Sequence, residues 1–252
     1  MGNEEKFTGK SKVYDLYRPS YPSELLDCLI KESSLLSTSR IADIGSGTGI
    51  LTKQLLEKGF TVLGVEPNSE MRHIAEQKLK SYSLFTSVAA NAESTMIDSN
   101  SIDLITVAQA FHWFDIPQFK KECRIILNDK GKIALISNSR DLTDPLIQEN
   151  EQICARYCPN FKGYSQGIEE TPEIYSQFFK NGEYEIKVFK NDQLYNLQHY
   201  IGRNLSSSFA PKEGDATYEL FIEALTAQFH QYAIDGVLVF PLLTKCYIGK
   251  VK

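Results

Sequence analysis

The sequence predicts an α/β protein: a doubly wound, mostly parallel sheet with additional helices laid over one end as a cap. Three observations carry that expectation. Strand-like and helix-like patterns alternate from about residue 40 to residue 138. The strand-like runs are apolar nearly throughout, and the first ends in a glycine-rich loop that opens a helix. Near-continuous apolar strands separated by helices mark a parallel sheet covered on both faces. Right-handed crossovers then wind such a sheet in both directions.

The elements follow in order. Residues 40–44 form a short β-type run. Residues 48–58 carry Ile50, Leu51, Leu55 and Leu56 on one helical face, and residues 61–66 are a second apolar strand. Residues 68–80 place Met71, Ile74, Ala75 and Leu79 at helical spacing. Residues 84–89 are a third, weaker strand and residues 102–108 a fourth. Residues 117–127 read as a helix with Phe119, Cys123, Ile126 and Leu127 inward, and residues 132–137 as a fifth strand. Beyond residue 138 the alternation slackens. Residues 144–157 are helical, as is a segment opened by Thr171-Pro172-Glu173, where proline suits the first helical position. Residues 183–189 alternate like a strand. Residues 215–234 form the most amphipathic helix, with Tyr218, Phe221, Ile222, Leu225, Phe229 and Tyr232 on one face. Residues 236–251 close the reading as a bent hairpin or a long strand.

Composition narrows the class. A chain of 252 residues suits one large domain or a domain with an insert. With 42% hydrophobic and 23% charged residues, it is neither disordered, collagenous nor a coiled coil. A net charge of −5 argues against a nucleic-acid partner, which calls for a basic face. No run approaches the ~18–20 apolar residues that span a membrane. The N-terminus has no apolar signal core, and Lys6 stands where myristoylation requires Ser or Thr. Cys28, Cys123, Cys154, Cys158 and Cys246 contain no CxxC pair, so neither a zinc site nor a disulfide framework is expected. A reduced, cytoplasmic protein without a metal follows.

The loop Asp43-Ile44-Gly45-Ser46-Gly47-Thr48-Gly49 joins the first strand to the first helix of the alternating region. Glycines permit a tight turn and close backbone approach to a ligand, and the helix start behind them offers free N–H groups to an anion. A dinucleotide fingerprint spaces its glycines G-x-G-x-x-G. Here the third glycine falls one residue early, and no G-x-x-x-x-G-K-[ST] is present, so a dehydrogenase and a P-loop are both excluded. Glu66 ends the second strand, where a carboxylate can accept both hydroxyls of a ribose.

In these residues the sequence resembles the class I S-adenosylmethionine-dependent methyltransferases. Asp43–Gly49 is similar to their glycine-rich motif and Glu66 to their ribose-binding acid. Asn91-Ala92-Glu93, after the third strand, resembles the segment that reads adenine. Gln109-Ala110-Phe111-His112-Trp113-Phe114, after the fourth strand, resembles a small-molecule branch that includes trans-aconitate methyltransferases. Tyr14-Asp15-Leu16-Tyr17-Arg18-Pro19-Ser20-Tyr21-Pro22 is similar to that branch as well. The resemblance implies a Rossmann-like sheet of seven strands with the last antiparallel. It makes residues 12–138 with 183–189 and 237–251 the core, and residues 139–182 and 190–236 cap insertions within a single domain.

The resemblance further implies S-adenosyl-L-methionine as cofactor and a small-molecule acceptor, methylated at oxygen, a carboxylate being one candidate. The cofactor residues expected are Tyr14, Arg18, Asp43, Gly45, Ser46, Gly47, Gly49, Glu66, Pro67, Met71, Asn91, Ala92, Glu93 and Gln109, with Asn68 as a further flank for adenine. Tyr14, Tyr17 and Trp113 are aromatic candidates to face a sulfonium. His112 and Trp113 are the catalytic candidates, His112 as a base wherever the acceptor must lose a proton. Arg203, followed by Asn204 and Ser206 to Ser208, is a candidate carboxylate ligand in the cap. Competing readings are a methyltransferase for RNA or protein and a non-catalytic S-adenosylmethionine-binding protein. Against the first stand the acidic charge and the lack of an (N/D)PPY-type motif after the fourth strand. Monomer and homodimer both remain open.

Overall fold

Successive residues of a strand point to opposite faces of its sheet. In β1 (Arg40–Ile44), Ile41 joins one apolar cluster while Ala42 and Ile44 join another. Both faces are therefore buried, which is why Ile41, Ala42 and Ile44 are all apolar. A computed structural model describes residues 18–164, 172–207 and 209–252. β2 (Thr61–Val65), β3 (Phe85–Val88), β4 (Ile102–Ala108) and β5 (Leu127–Arg140) extend β1 in a parallel array. β6 (Tyr184–Lys190) forms one edge of the same sheet. β7 (Gln193–Tyr195) and β8 (Leu238–Phe240) pair antiparallel in a separate two-stranded sheet. β9 (Leu242–Gly249) inserts between β5 and β6, antiparallel to both, giving the order β3-β2-β1-β4-β5-β9-β6. The doubly wound, seven-stranded sheet with an antiparallel last strand is thus present.

One face is covered by α1 (Ser23–Glu32), α2 (Ile50–Glu57) and α3 (Ser69–Leu79), whose Leu25, Leu29, Leu51, Leu55 and Leu79 pack on Ile41, Val62 and Leu104. The other face is covered by α4 (Ile116–Ile126) through Phe119, Cys123 and Ile126. After β5 the chain runs through α5 (Pro145–Tyr157). Within the stretch expected as an insertion, α6 (Pro172–Phe178) then packs on the α4 face, where Phe178 lies edge-on to Phe111 at 5.0 Å and stacks on Phe119 at 5.8 Å. A third cluster joins α5 to α7 (Leu197–Leu205), α8 (Tyr218–Tyr232) and the β7–β8 sheet through Ile147, Tyr200, Phe221, Leu225 and Phe240.

Caps fix where the helices begin. The side chains of Asn68, Asp115 and Asp144 accept backbone N–H bonds from Met71, Gln118 and Leu146, so α3, α4 and α5 each start one residue after a capping side chain. The fifth strand is longer than its apolar run. Leu127, expected as the end of α4, pairs with Ile102 across a register shift and opens β5. The expected helix at 215–234 begins only at Tyr218, and within it Ile222 and Tyr232 are half-buried while Phe221, Leu225 and Phe229 form the packed stripe. Among the described residues no helix is long and apolar enough to cross a membrane, and all five cysteines are free thiols.

Candidate functional site

The glycine loop is pinned to the end of β2: the N–H groups of Gly45 and Ser46 donate to the Val65 carbonyl at 2.9 and 3.1 Å. The early third glycine has a packing cause. Gly49 lies at φ +79°, and a Cβ there would fall 2.9 Å from Leu79 Cδ1 and 3.3 Å from Ala75 Cβ. The start of α2 therefore sits tight against α3, and a side chain at 49 would have to displace Leu79 as well as bear the positive φ. Gly47, at φ +57°, differs: a Cβ there would meet only Met71 Sδ, at 3.8 Å, in the cavity that both residues line.

Two carboxylates organise the loop in different ways. Glu66 is 7% exposed. Its Oε2 accepts the Gly47 N–H at 2.9 Å and its Oε1 the Asn68 N–H at 2.8 Å, so the acid ties the loop after β1 to the turn after β2. Arg72 donates to the Glu66 and Pro67 carbonyls at 2.9 and 3.0 Å, fixing that turn from behind. Asp43 is 1% exposed and does not reach the cavity. Its oxygens accept the hydroxyls of Thr52 at 2.6 Å and Thr106 at 2.8 Å, binding β1 to α2 and β4. Burial pushes its carboxyl up to about 6, against those two hydrogen bonds, which pull it down.

A cavity of about 370 Å³ opens beyond the C-terminal ends of four strands. β1 contributes Gly45 and Gly47; β2 contributes Glu66, Pro67, Asn68 and, through α3, Met71. β3 contributes Asn91, Ala92 and Glu93, and β4 contributes Gln109, Ala110, Trp113, Phe114 and Asp115. Glu93 accepts the Asp115 N–H at 2.8 Å, closing the rim between the last two groups. Gln109 holds a left-handed backbone, φ +59°, at the strand exit. Its N–H donates to the Ile136 carbonyl at 2.9 Å and its side chain to the Asn138 carbonyl at 3.1 Å. A non-glycine residue held in this region stores local strain, and five other described residues share it.

The expected site residues thus divide. Gly45, Gly47, Glu66, Pro67, Met71, Asn91, Ala92, Glu93, Gln109 and Trp113 converge on one cavity. Asp43, Ser46 and Gly49 stand behind the loop rather than on the cavity wall. Arg18 lines a second, smaller cavity of about 30 Å³ with Arg140 and Arg203. His112 is exposed and lines a third, of about 20 Å³, beside Tyr175 and Tyr247, its ring 4.6 Å from that of Trp113. Tyr14, Tyr17 and Ser208 lie outside the described residues. The sequence reading did not find Arg140, Thr52 or Thr106. Arg140 ends the fifth strand where the sheet delivers its other site residues, and that position was the available signal. Among the described residues no group of three or more His, Cys, Asp or Glu side chains is placed to hold a metal ion.

Residues 42–135 match the model of a family described as a methyltransferase domain. An uncharacterized methyltransferase of Mycobacterium bovis is 34% identical over 144 residues, covering 57% of this chain and 56% of that protein. This chain therefore matches little more than half the length of that relative. A probable S-adenosylmethionine-dependent methyltransferase of Saccharomyces cerevisiae is 24% identical over 216 residues, covering 84% of this chain and 66% of that one. Among solved structures, one designated a type II methyltransferase from Anaeromyxobacter dehalogenans superposes with a TM-score of 0.69 at 19% identity, covering 93% of this chain and 98% of that one. A phosphoethanolamine N-methyltransferase of Haemonchus contortus, in complex with phosphomonomethylethanolamine and S-adenosylhomocysteine, gives 0.55 at 16% identity, covering 98% of this chain and 58% of that one. At these identities the structural likeness establishes the fold.

Proposed function

We propose that this protein is a methyltransferase that uses S-adenosyl-L-methionine to methylate a small-molecule acceptor at oxygen. The observation that carries the reading is the convergence of Glu66, the Gly47 loop, Asn91–Ala92 and Trp113 on one cavity at the ends of the parallel strands. The likeness of residues 42–135 to a methyltransferase domain supports it. The cavity fits the cofactor on three counts: its volume lies in the range of small-molecule sites, Gly47 leaves open the space a Cβ would fill, and a buried carboxylate stands on its wall.

When bound, the cofactor supplies a methyl group on a sulfonium: the C–S bond breaks toward sulfur while a lone pair of the acceptor forms the new bond to carbon, leaving S-adenosylhomocysteine. The protein's part is to align the two partners and exclude water. Glu66, oriented by the Gly47 and Asn68 amides, accepts the ribose hydroxyls. The glycine loop, its Gly45–Gly47 amides engaged by Val65 and Glu66, lets the amino-acid end of the cofactor approach the backbone closely, and the carbonyl of Gln109 faces its ammonium. Asn91 and Ala92 read the adenine edge, with Pro67 and Met71 against its face. Trp113 presents an aromatic ring to the sulfonium, an attraction of ~0.5–2 kcal/mol. Asp43, Ser46 and Gly49 act as positioning residues for the loop. His112 is exposed, lines a neighbouring small cavity with Gln109 rather than the large one and contacts Trp113, and it is the base this reading assigns where the acceptor is a hydroxyl.

The net charge of −5 supports a small molecule over a nucleic acid as acceptor. Incubation with S-adenosylmethionine and a panel of small carboxylic acids, phenols and amines tests the proposal, with S-adenosylhomocysteine release as the readout. Turnover is expected with an oxygen acceptor; turnover confined to amines would refute oxygen as the accepting atom.

A further inference from the structure

The second cavity is built from three arginines that the cofactor site does not use. Arg18 precedes α1, Arg140 is the last residue of β5 and Arg203 stands in the last turn of α7, yet all three line one space of about 30 Å³. Asn138 and Gln109 line it too, and Gln109 also lines the large cavity, so the two spaces share a wall. The segment carrying Arg18 is fastened in place. The side chains of Asn191 and Asn138 donate to the Ser20 carbonyl at 2.8 and 3.4 Å, and Thr244 donates to Asn138 Oδ1 at 2.5 Å.

Like charges brought together repel, and burial strengthens the repulsion. On Arg140 that repulsion is met by Tyr164, Cys154 and Tyr200, and by no carboxylate among the described residues. The Arg140 Nε is shielded from solvent and has no hydrogen-bond partner, and no carboxylate lies within 4 Å of it among the described residues. Its neighbour is the ring of Tyr164, 3.8 Å from the guanidinium carbon, which attracts a cation without carrying a charge. Burial and the charge of Arg18 both lower the pKa of Arg140. Arg203 is 7% exposed, and the charges of Arg203, Arg140 and Arg18 all act on the Tyr195 hydroxyl. The result is a small space, room for a group of a few atoms, lined by three arginine side chains, one of which, Arg140, keeps a buried donor unused.

We propose that this arginine pocket anchors a carboxylate of the methyl acceptor, and that this carboxylate is not the group that receives the methyl. The inference rests on the methyltransferase reading and adds a substrate class to it: a small acid with its accepting atom on the far side of Gln109, in the large cavity. A guanidinium fork matches the two oxygens of a carboxylate. An anion held this way has its charge neutralised and its lone pairs engaged, so it is a poor nucleophile; the reacting oxygen must be a second group of the same molecule. The tight space favours a planar carboxylate over a tetrahedral phosphate.

The test is calorimetric titration of the full chain with acetate, succinate, tricarballylate and benzoate, each with and without saturating S-adenosylhomocysteine. Succinamide serves as the uncharged control and inorganic phosphate as the competing anion. At least one carboxylate should bind, succinamide should not, and Arg140→Gln should weaken the carboxylate tenfold or more while S-adenosylhomocysteine affinity stays within twofold. If Arg140→Gln does not fold, Arg203→Lys, which keeps the charge and removes the fork, should weaken the same ligand at least fivefold. Binding of no carboxylate, equal binding in the variant that folds, or preference for phosphate would each overturn the proposal. A chain that binds a carboxylate through Arg140 but not S-adenosylhomocysteine would instead overturn the methyltransferase reading and leave the anion site standing.

Discussion

Glu66 is held through both oxygens by backbone amides, those of Gly47 and Asn68, and faces the large cavity. Hydrogen bonds to a charged group contribute about 1.5–3 kcal/mol each, so Glu66→Ala should weaken S-adenosylmethionine binding by roughly 10- to 100-fold. Equal affinities for variant and parent in calorimetry would remove Glu66 from the site. Gly47→Ala should block binding because its Cβ enters the cavity toward Met71, and its positive φ should cost about 1–2 kcal/mol of stability. A variant that binds as tightly as the parent would contradict that placement. Asp43 makes a pH-dependent prediction. Its carboxyl titrates near 6 in the folded chain, above the ordinary value of about 3.9. The folded state therefore holds the proton more tightly than the unfolded state between about pH 4 and 6. Stability contributed here falls as pH rises through that window and the loss is complete above it. Asp43→Asn, neutral at every pH, should lack this slope. Relative to the parent it should gain on the order of 3 kcal/mol between pH 4 and pH 7. Parallel denaturation curves for the two proteins would refute the burial argument. Glu66 was legible because a charged residue at the end of an apolar strand stands out. Asp43 was legible as an acid of the loop, but its engagement by Thr52 and Thr106 was not, since those partners lie 9 and 63 residues away.

Between elements, the cap is held by a buried polar network as well as by its apolar cluster. Asn150 of α5 donates to the Tyr200 hydroxyl of α7 at 2.8 Å and to Gln228 Oε1 of α8 at 3.2 Å. It also accepts the Tyr164 hydroxyl at 2.7 Å, and Gln228 donates to the Leu146 carbonyl at 3.0 Å. Asn150 and Gln228 are 0% and 1% exposed. Removing one member strands the others without water, so Asn150→Leu should cost about 2–4 kcal/mol. Chemical denaturation reads that loss, and S-adenosylhomocysteine affinity should be unchanged because none of these groups lines the large cavity. Sequence periodicity showed α5 and α8 but gave no sign of this network, since Asn150 and Gln228 look like ordinary polar positions on amphipathic helices. β7 went unread because a strand of three residues carries too little alternation to register, while β8 lies within the bent hairpin or long strand expected at 236–251; the helices α1 and α7 were not read. The parallel strands β1, β2 and β4 were legible because burial on both faces makes most of their positions apolar, whereas the edge strand β3, half polar, read weakly. β5 outran its apolar core at both ends, where pairing with Ile102 and with Leu242 extends it through polar residues.

Over the whole molecule, one sheet sends its strand ends into one region, and each strand exit delivers part of a ligand site. The cap then closes over the end of β5 and brings Arg203 to meet Arg18 and Arg140. On the proposed reading, the sheet would bind the cofactor and the cap would select the acceptor. Cofactor binding to the folded state alone stabilises by about 2.7 kcal/mol at a ligand concentration 100 times Kd, which for a domain of this size is a rise in Tm of roughly 5–10 °C. The central claim is that the cavity at the strand ends is an S-adenosylmethionine site organised by Glu66. It is tested most directly by calorimetric titration of the purified chain with S-adenosylhomocysteine, beside the Glu66→Ala variant. One site per chain is expected in the parent and at least tenfold weaker binding in the variant; a folded parent that releases no binding heat and gains no Tm would rule the site out.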